Sequence, residues 1–280
     1  MASVVILAHN ESQVIGRLLS RLSPLAAVSD LMIVVVAHNC TDNTAEIASS
    51  FGPGVRVVSL GPVSRPVALR AGDDVATGFP RLYIDADVEL DQADVRALID
   101  AVRRPGVLAA APERVLPVQD CPWHVRWFYD VWLRLPEVRR GLFDRGVLAV
   151  SEAGHARLAR LPPPLFADDL AASLAFAPAE RSIVAAATAA RQPPRTFAGL
   201  LYRRIRAAVS LAQLERAWPG PSCAARTRPG DLAAIVRADP RATPRVAYFV
   251  SVAAIAKLAA RLTRRRRLSG GPAHDGPHRE

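Results

Sequence analysis

Short apolar runs rich in β-branched residues alternate with helically spaced stretches through the first 111 residues. Val4-Val5-Ile6-Leu7-Ala8 is apolar throughout and stops at polar His9-Asn10-Glu11, the pattern of a buried parallel strand. Val14-Ile15, Leu18-Leu19 and Leu22 follow at helical spacing. Leu31 to Val36 is a second buried run, ending in Ala37-His38-Asn39-Cys40, and Thr41 or Asp42 can cap a helix over 44–50. The same reading predicts strands at 55–60, 81–84 and 107–111, and helices at 67–77 and 91–103, the latter capped by Asp91. Repeated strand–helix alternation with short links predicts βαβ units. The fold class is therefore α/β: a mostly parallel, helix-covered, Rossmann-like sheet. Ligands of such sheets bind at the carboxyl ends of the strands. Here those ends carry His9-Asn10-Glu11, His38-Asn39 and Asp85-Ala86-Asp87.

Beyond residue 112 the pattern changes. Residues 121–135 concentrate aromatics, among them Trp123, Trp127 and Trp132, to stack on sugar or touch lipid headgroups, or, as the helical spacing fits better, to form a buried amphipathic helix. Residues 141–150 read as a strand pair. Pro162-Pro163-Pro164 breaks the chain before Asp168-Asp169 opens a helix. Residues 197–217 read as an arginine-rich helix, 219–231 as a loop and 246–262 as a last helix. The basic, Gly/Pro/His-bearing segment 264–280 reads as a disordered tail.

Composition narrows the class. Of 280 residues, 50% are hydrophobic and 22% charged, an ordinary globular balance that excludes wholesale disorder. Three scattered cysteines, with no C-x-x-C pair, exclude a disulfide scaffold or zinc finger and fit a reducing cytoplasm. The first apolar run is too short, and lacks a preceding basic residue, for a secretory signal. The net charge of +10 rests almost wholly on arginine, since Lys257 is the one lysine. That bias, with abundant Ala and Pro, matches GC-rich coding, so charge alone does not imply nucleic acid.

The chemistry-bearing residues are acidic. Two carboxylates on alternate residues at a strand end, Asp85 and Asp87, must be paired or metal-bound if buried. A hard divalent cation completed by pyrophosphate oxygens suits them. Asp168-Asp169 offers a general base, which needs a carboxylate near an acceptor hydroxyl, or a helix cap. His9 and His38 end adjacent strands, as metal ligands, as base-stacking rings or as hydrogen-bonded loop residues. Arg191, Arg195, Arg203, Arg204 and Arg206 form a basic stretch in which Arg203 and Arg206 share a helix face, as a clamp for pyrophosphate or an anionic lipid acceptor, or as a solvated face.

The order of these motifs resembles a family 2 glycosyltransferase of the GT-A fold. That family opens with a strand and a Pro-Ala-Tyr-Asn-Glu-like motif, here Leu7-Ala8-His9-Asn10-Glu11. Its second strand ends in Asp-Asp-Gly-Ser-Thr-Asp-x-Thr, here Ala37 to Thr44, with Ala37-His38 in place of the acidic pair. Its Lys-x-x-Ala-Leu-Asn-x-Gly stretch is matched by Arg65 to Gly72, its Asp-x-Asp by Asp85-Ala86-Asp87 and its Glu-Asp by Asp168-Asp169. Arg195 to Arg206 resembles its later arginine-bearing helix, so the likeness spans about residues 3–206. The resemblance implies that Asp85 and Asp87 engage Mg or Mn and the donor pyrophosphate, Asp87 ligating the metal directly. It implies that Asp169 is the catalytic base, with Asp168 its acidic neighbour. Leu7, His9 and His38 fall where the family contacts base and ribose, Arg65 falls on its phosphate side, and Glu11 belongs to the same nucleotide-sugar set. It further implies an inverting transfer from a nucleotide sugar to a glycan or lipid-linked acceptor. The Gln-x-x-Arg-Trp motif of processive synthases is absent from Tyr202-Arg203-Arg204-Ile205-Arg206, which favours single-sugar transfer.

Other classes stay open at this stage: a nucleotidyltransferase on a similar sheet, a degenerate nucleotide-sugar binder, and a nucleic-acid binder suggested by charge alone, for which no recognition motif appears. The expected organisation is a GT-A domain over 1–206, a C-terminal helical extension over 207–263 and a basic tail over 264–280. The 246–262 helix, cut by Lys257 and Arg261, is shorter than the ~20 apolar residues that span a bilayer. It reads either as core-docking or as interfacial on an anionic membrane, which would place a cytoplasmic protein at the inner face of the plasma membrane.

Overall fold

A computed structural model of the chain describes residues 1–28, 31–162, 165, 168–218 and 227–268. Its residues divide into two compact units, Met1–Pro117 with Arg140–Gln192, and Val118–Arg139 with Pro193–Glu280. The first unit holds β1 (Ala2–Ala8), α1 (Ile15–Val28), β2 (Leu31–His38), α2 (Thr44–Ser49), β3 (Val55–Leu60), α3 (Arg65–Val75), β4 (Arg81–Asp85), α4 (Gln92–Val102) and β5 (Ala109–Val115). After α5 (Trp123–Trp132) and α6 (Pro136–Arg140) it resumes with β6 (Val147–Val150), α7 (Glu152–Ala159), α8 (Asp169–Leu174) and β7 (Arg181–Ala190). The second unit is helical, with α5, α9 (Phe197–Ala217), α10 (Pro229–Ala238) and α11 (Thr243–Leu268).

The seven strands form one sheet in the order β3-β2-β1-β4-β6-β5-β7. Only β6 runs antiparallel to its neighbours. The β-branched runs of β1 and β2 are buried because helices cover both faces, and Ile6, Ile33, Leu82 and Ile84 join Ile15, Leu19 and Leu22 of α1 in the core. Gly72 explains how α3 approaches so closely: a Cβ there would lie 2.6 Å from Val5 and 2.8 Å from Val36. The register sets Leu7 beside Val36 on one side and Asp85 on the other, so the ends of β1, β2 and β4 are level. At the opposite end of β4, buried Arg81 pairs with Asp73 at 2.7 Å, and Asp73 also accepts from Tyr83.

In the second unit α11 packs on α9 and α5. Phe128 and Phe249 rings lie 4.9 Å apart, and Arg204 lies over Phe128 and Trp132. Phe128, Tyr129 and Trp132 are core residues, whereas Trp123 is exposed.

The structure departs from the sequence reading in several places. Residues 141–146 are a loop rather than half of a strand pair, and only Val147–Val150 is extended. Helix α1 continues through Pro24 to Val28. Strand β7 and helices α7 and α10 were not expected, α10 beginning inside the segment read as a loop; the rest of that loop, 219–226, lies outside the described residues. The last helix extends to Leu268, so Arg264 to Arg267 are helical, while 269–280 lie outside the described residues. The units also cut the chain differently: 118–139 and 193–206, expected in the first domain, belong to the second unit. The aromatic α5 is the reason, because its apolar face packs with α11 and α9.

Candidate active site

The loops after β1 and β2 are stitched together by the polar residues that end the strands. Glu11 N–H donates to Thr44 Oγ1 at 2.9 Å, Ser12 N–H to Asp42 Oδ2 at 3.1 Å and Thr41 N–H to Asn10 Oδ1 at 2.8 Å. Asp42 also accepts from the Thr44 amide and hydroxyl, opening α2. Burial pushes the Asp42 carboxyl up, but the hydrogen bonds from Thr44 and Ser12 outweigh it and bring its pKa down to about 2. Asn39 bonds both the carbonyl and the amide of Val63, fixing the approach to α3 and hence to Arg65.

His9 and His38 stack, with ring centroids 5.6 Å apart. Burial, then His9, then Arg65 lowers the His38 pKa, so its imidazole favours the neutral form. His38 Nδ1 is buried with no hydrogen-bond partner among the described residues.

The carboxylates gather where β4 ends. Arg65 donates to Asp85 Oδ1 at 2.7 Å. The Arg191 guanidinium, just past β7, meets Asp85 Oδ2 at 3.5 Å, Asp87 Oδ2 at 3.2 Å and Asp144 Oδ1 at 3.5 Å. Burial opposes the Arg191 charge, yet Asp85, Asp87, Asp144 and Asp169 together raise its pKa above the ordinary guanidinium value. For Arg65, Asp85 is the chief cause of a raised pKa. Asp144 comes from the 141–146 loop, held by Arg114 donating to the Phe143 and Asp144 carbonyls and by buried Arg145 donating to those of Gly141 and Pro112. Gly146 closes that loop at φ +69°, and a Cβ there would lie 2.3 Å from Val88 Cγ2. Its carbonyl accepts the Asp85 amide at 2.8 Å. Among the described residues, Asn10, Asn39 and Asp144 are the non-glycine residues with positive φ, and each sits in one of these strand-end loops. Strained backbone of this kind gathers at functional sites.

Asp168 caps α8 by accepting the Ala171 amide at 2.8 Å. Asp169, in the first turn, is open to solvent yet crowded by protein on its other sides. That recess, followed by the Asp85 charge, lifts its pKa to about 6 against the opposing pull of Arg65 and Arg191. A shallow cleft, open to solvent, is lined by Leu7, Arg65, Asp85, Asp168, Asp169 and the apolar side chains of Leu142 and Val147, among others.

The family model for Glycosyl transferase family 2 matches residues 3–160. The chain belongs to this family.

Solved glycosyltransferases share its fold. A mannosyltransferase from Pyrobaculum calidifontis, in complex with GDP-Man and Mn2+, superposes at a TM-score of 0.55 with 22% identity, covering 96% of this chain and 80% of that one. Glucosyl-3-phosphoglycerate synthase from Mycobacterium tuberculosis, in complex with Mn2+, UDP and glucosyl-3-phosphoglycerate, gives 0.54 and 21%, covering 78% and 80%. Mannosyl-3-phosphoglycerate synthase from Rubrobacter xylanophilus gives 0.51 and 18%, covering 77% and 74%. No curated protein matches the chain.

Of the residues singled out in the sequence, Leu7, Arg65, Asp85, Asp168 and Asp169 line the cleft, and Asp87 joins them through Arg191. His9 and Glu11 lie in the loop after β1, and His38 is the last residue of β2, at the same strand ends. Arg203 and Arg206 are on α9 of the second unit, where Arg206 lies over Tyr202. Asp144 was missed in the sequence, and Arg191 was noted only as part of a basic stretch. Their one sequence signal is polarity at a loop and at a strand end.

The donor set fits a divalent cation. Two carboxylate oxygens, one from Asp85 and one from Asp87, converge on the same guanidinium, so they face a common centre of positive charge. Among the described residues no three or more His, Cys, Asp or Glu side chains form a ready metal cage. A Mg-type ion needs none, because it is held by one or two carboxylates and completed by substrate phosphates and water.

Proposed function

We propose that this family 2 protein is an inverting glycosyltransferase that moves a sugar from a nucleotide-sugar donor to a hydroxyl acceptor. The observation that carries the reading is the convergence of Asp85, Asp87 and Asp169 with Arg65 and Arg191 at one strand-end cleft. The acceptor we assign is a lipid-linked or polysaccharide precursor of the cell envelope, reached from the cytoplasm at the inner face of the plasma membrane. Neighbouring folds that hold GDP-Man or UDP with Mn2+ support the donor class.

In this mechanism Asp87, with Asp85, would hold Mg or Mn, which when bound would supply positive charge to offset that developing on the leaving diphosphate. Arg65 binds the phosphate side of the donor, and Arg191 holds the Asp85 and Asp87 carboxylates in place. Leu7, His9, Glu11 and His38 form the nucleoside side. Arg203 and Arg206 bind anionic groups of donor or acceptor. Asp169 takes the proton of the acceptor hydroxyl. The freed oxygen attacks the anomeric carbon from the face opposite the diphosphate, and the old C–O bond breaks with its electron pair leaving on the nucleoside diphosphate. The sugar therefore passes from α to β. Asp168 fixes the start of α8 and so the position of Asp169. A pKa lifted toward neutrality makes Asp169 a stronger base than an ordinary aspartate while leaving it ionised at pH 7.

The test is product analysis. With GDP-Man or UDP-Glc, Mn2+ and a lipid-linked or glycan acceptor, the protein should release nucleoside diphosphate and form a β-linked product. Release of pyrophosphate, an α-linked product, or equal turnover in excess chelator would overturn the reading.

A further inference from the structure

We propose that α11 docks the protein on an anionic lipid bilayer through its outward face. The helix is apolar on two sides. Phe249, Val252, Ala256 and Ala260 are buried within the second unit. The opposite side carries Val250, Ile255, Leu258 and Leu262, with 45%, 47%, 60% and 52% of their surface exposed. Ser251, Ile255, Leu258 and Leu262 repeat at intervals of three and four and so share one stripe. A helix is normally covered wherever it is apolar, and this one has two apolar sides of which only one is covered. Trp123, also exposed, lies with its ring centroid 5.6 Å from that of Tyr248 on α11, an amphipathic ring of the kind that settles at a lipid–water interface.

Charge identifies the occupant. The α11 segment contains no acidic residue. Lys257 and Arg261 are exposed beside the apolar stripe, and Arg264 to Arg267 extend the same helix. A basic helix with an exposed apolar stripe complements an anionic headgroup layer above acyl chains. A protein partner buried on this face would instead require the exposed Lys257 and Arg261 to be desolvated or matched. No helix among the described residues is long and apolar enough to cross a membrane, so α11 would lie in the interface. The proposal gives a surface to the membrane partner named in the functional reading and rests on that reading only for its purpose, since vesicle binding and sugar transfer are measured separately.

The full chain is sedimented with vesicles of phosphatidylcholine alone or with about one third phosphatidylglycerol. Wild type should pellet with the anionic vesicles and bind at least about tenfold less to the neutral ones, or to either at about 0.5 M salt, where screening shortens to roughly 4 Å. Leu258→Glu with Leu262→Glu should weaken binding about tenfold or more, and Lys257→Glu with Arg261→Glu should abolish the preference for phosphatidylglycerol. All four positions are exposed, so both variants should melt like wild type and turn over nucleotide sugar without vesicles at the wild-type rate. A wild type that stays in the supernatant, or a Leu258→Glu/Leu262→Glu variant that pellets like wild type, would overturn the docking. So would a soluble wild-type dimer that this variant dissociates, because the face would then belong to a second copy. Vesicle binding by a protein without transfer activity would leave the docking standing and sink the transferase reading.

Discussion

Asp169 is the residue on which chemistry and folding stability pull in opposite directions. Its native pKa, near 6, lies above the ordinary aspartate value, so the native state holds its proton more tightly than the unfolded chain. Its contribution to stability therefore falls as pH rises from about 4 to 6, and the full cost is present above 6. Asp169→Asn should accordingly melt higher than wild type at pH 8, a gain that shrinks by pH 4. Catalysis needs the ionised form, so kcat/KM should rise with pH along a limb centred near 6, to be read from initial rates across pH 5–8. A cation held by Asp85 would cancel part of that carboxylate's repulsion, so saturating Mn2+ should move the limb down. Arg191 presents the complementary case. It lies against Asp85, Asp87 and Asp144 together, and Arg191→Met removes that shared positive charge while Arg65 still pairs with Asp85. The expected loss is on the order of 3 kcal/mol. Mn2+ should restore more of the variant's thermal stability than it adds to wild type, and a variant indifferent to Mn2+ would argue against a cation site there. These contacts were not legible in the sequence. Arg191 lies 104 residues from Asp87, and nothing in the spacing of either announces the other.

At the level of elements, the strands that carry the site were the most legible. β1 and β2 are β-branched runs that can only be buried, and each is followed by polar loop residues that bond the neighbouring loop. Asp42 is one of these loop residues, and it links the loops after β1 and β2. Asp42→Ala should cost about 1–2 kcal/mol at pH 7 by urea unfolding. Its native pKa of about 2 lies below the ordinary value, so this contribution is present above about pH 4 and is lost as pH falls toward 2. The difference between variant and wild type should therefore narrow at pH 3. β7 escaped notice for a physical reason. Its sequence, RSIVAAATAA, is half alanine, which prefers helix, and it is extended because β5, itself opening with three alanines, offers a paired edge. The 141–146 loop was misread as a strand because Leu142, Phe143 and Val147 are apolar. Its shape is set instead by Arg114 and Arg145, whose hydrogen bonds to its carbonyls only the folded chain reveals.

For the whole molecule, the charge of +10 and the acidic chemistry separate cleanly. The carboxylates that matter lie at the strand ends of the first unit, each with an arginine beside it, while α11 of the second unit carries basic residues and no acidic one. The aromatic segment 123–132, read correctly as a helix, was not recognised as part of a second unit, because its partners α9 and α11 lie some 65 residues or more further along the chain. Donor binding should be visible in the stability of the whole chain. A nucleotide sugar with Mn2+ at about 100 times its dissociation constant adds about 2.7 kcal/mol to the native state. For a chain of this size that is a rise of several degrees in Tm, and Asp87→Ala should lose it. The most direct measurement sets this shift beside turnover in Asp169→Asn. The expected variant keeps the donor- and Mn2+-dependent rise in Tm but transfers sugar about 10²–10⁴-fold more slowly than wild type. An Asp169→Asn protein that transfers sugar at the wild-type rate would contradict the account.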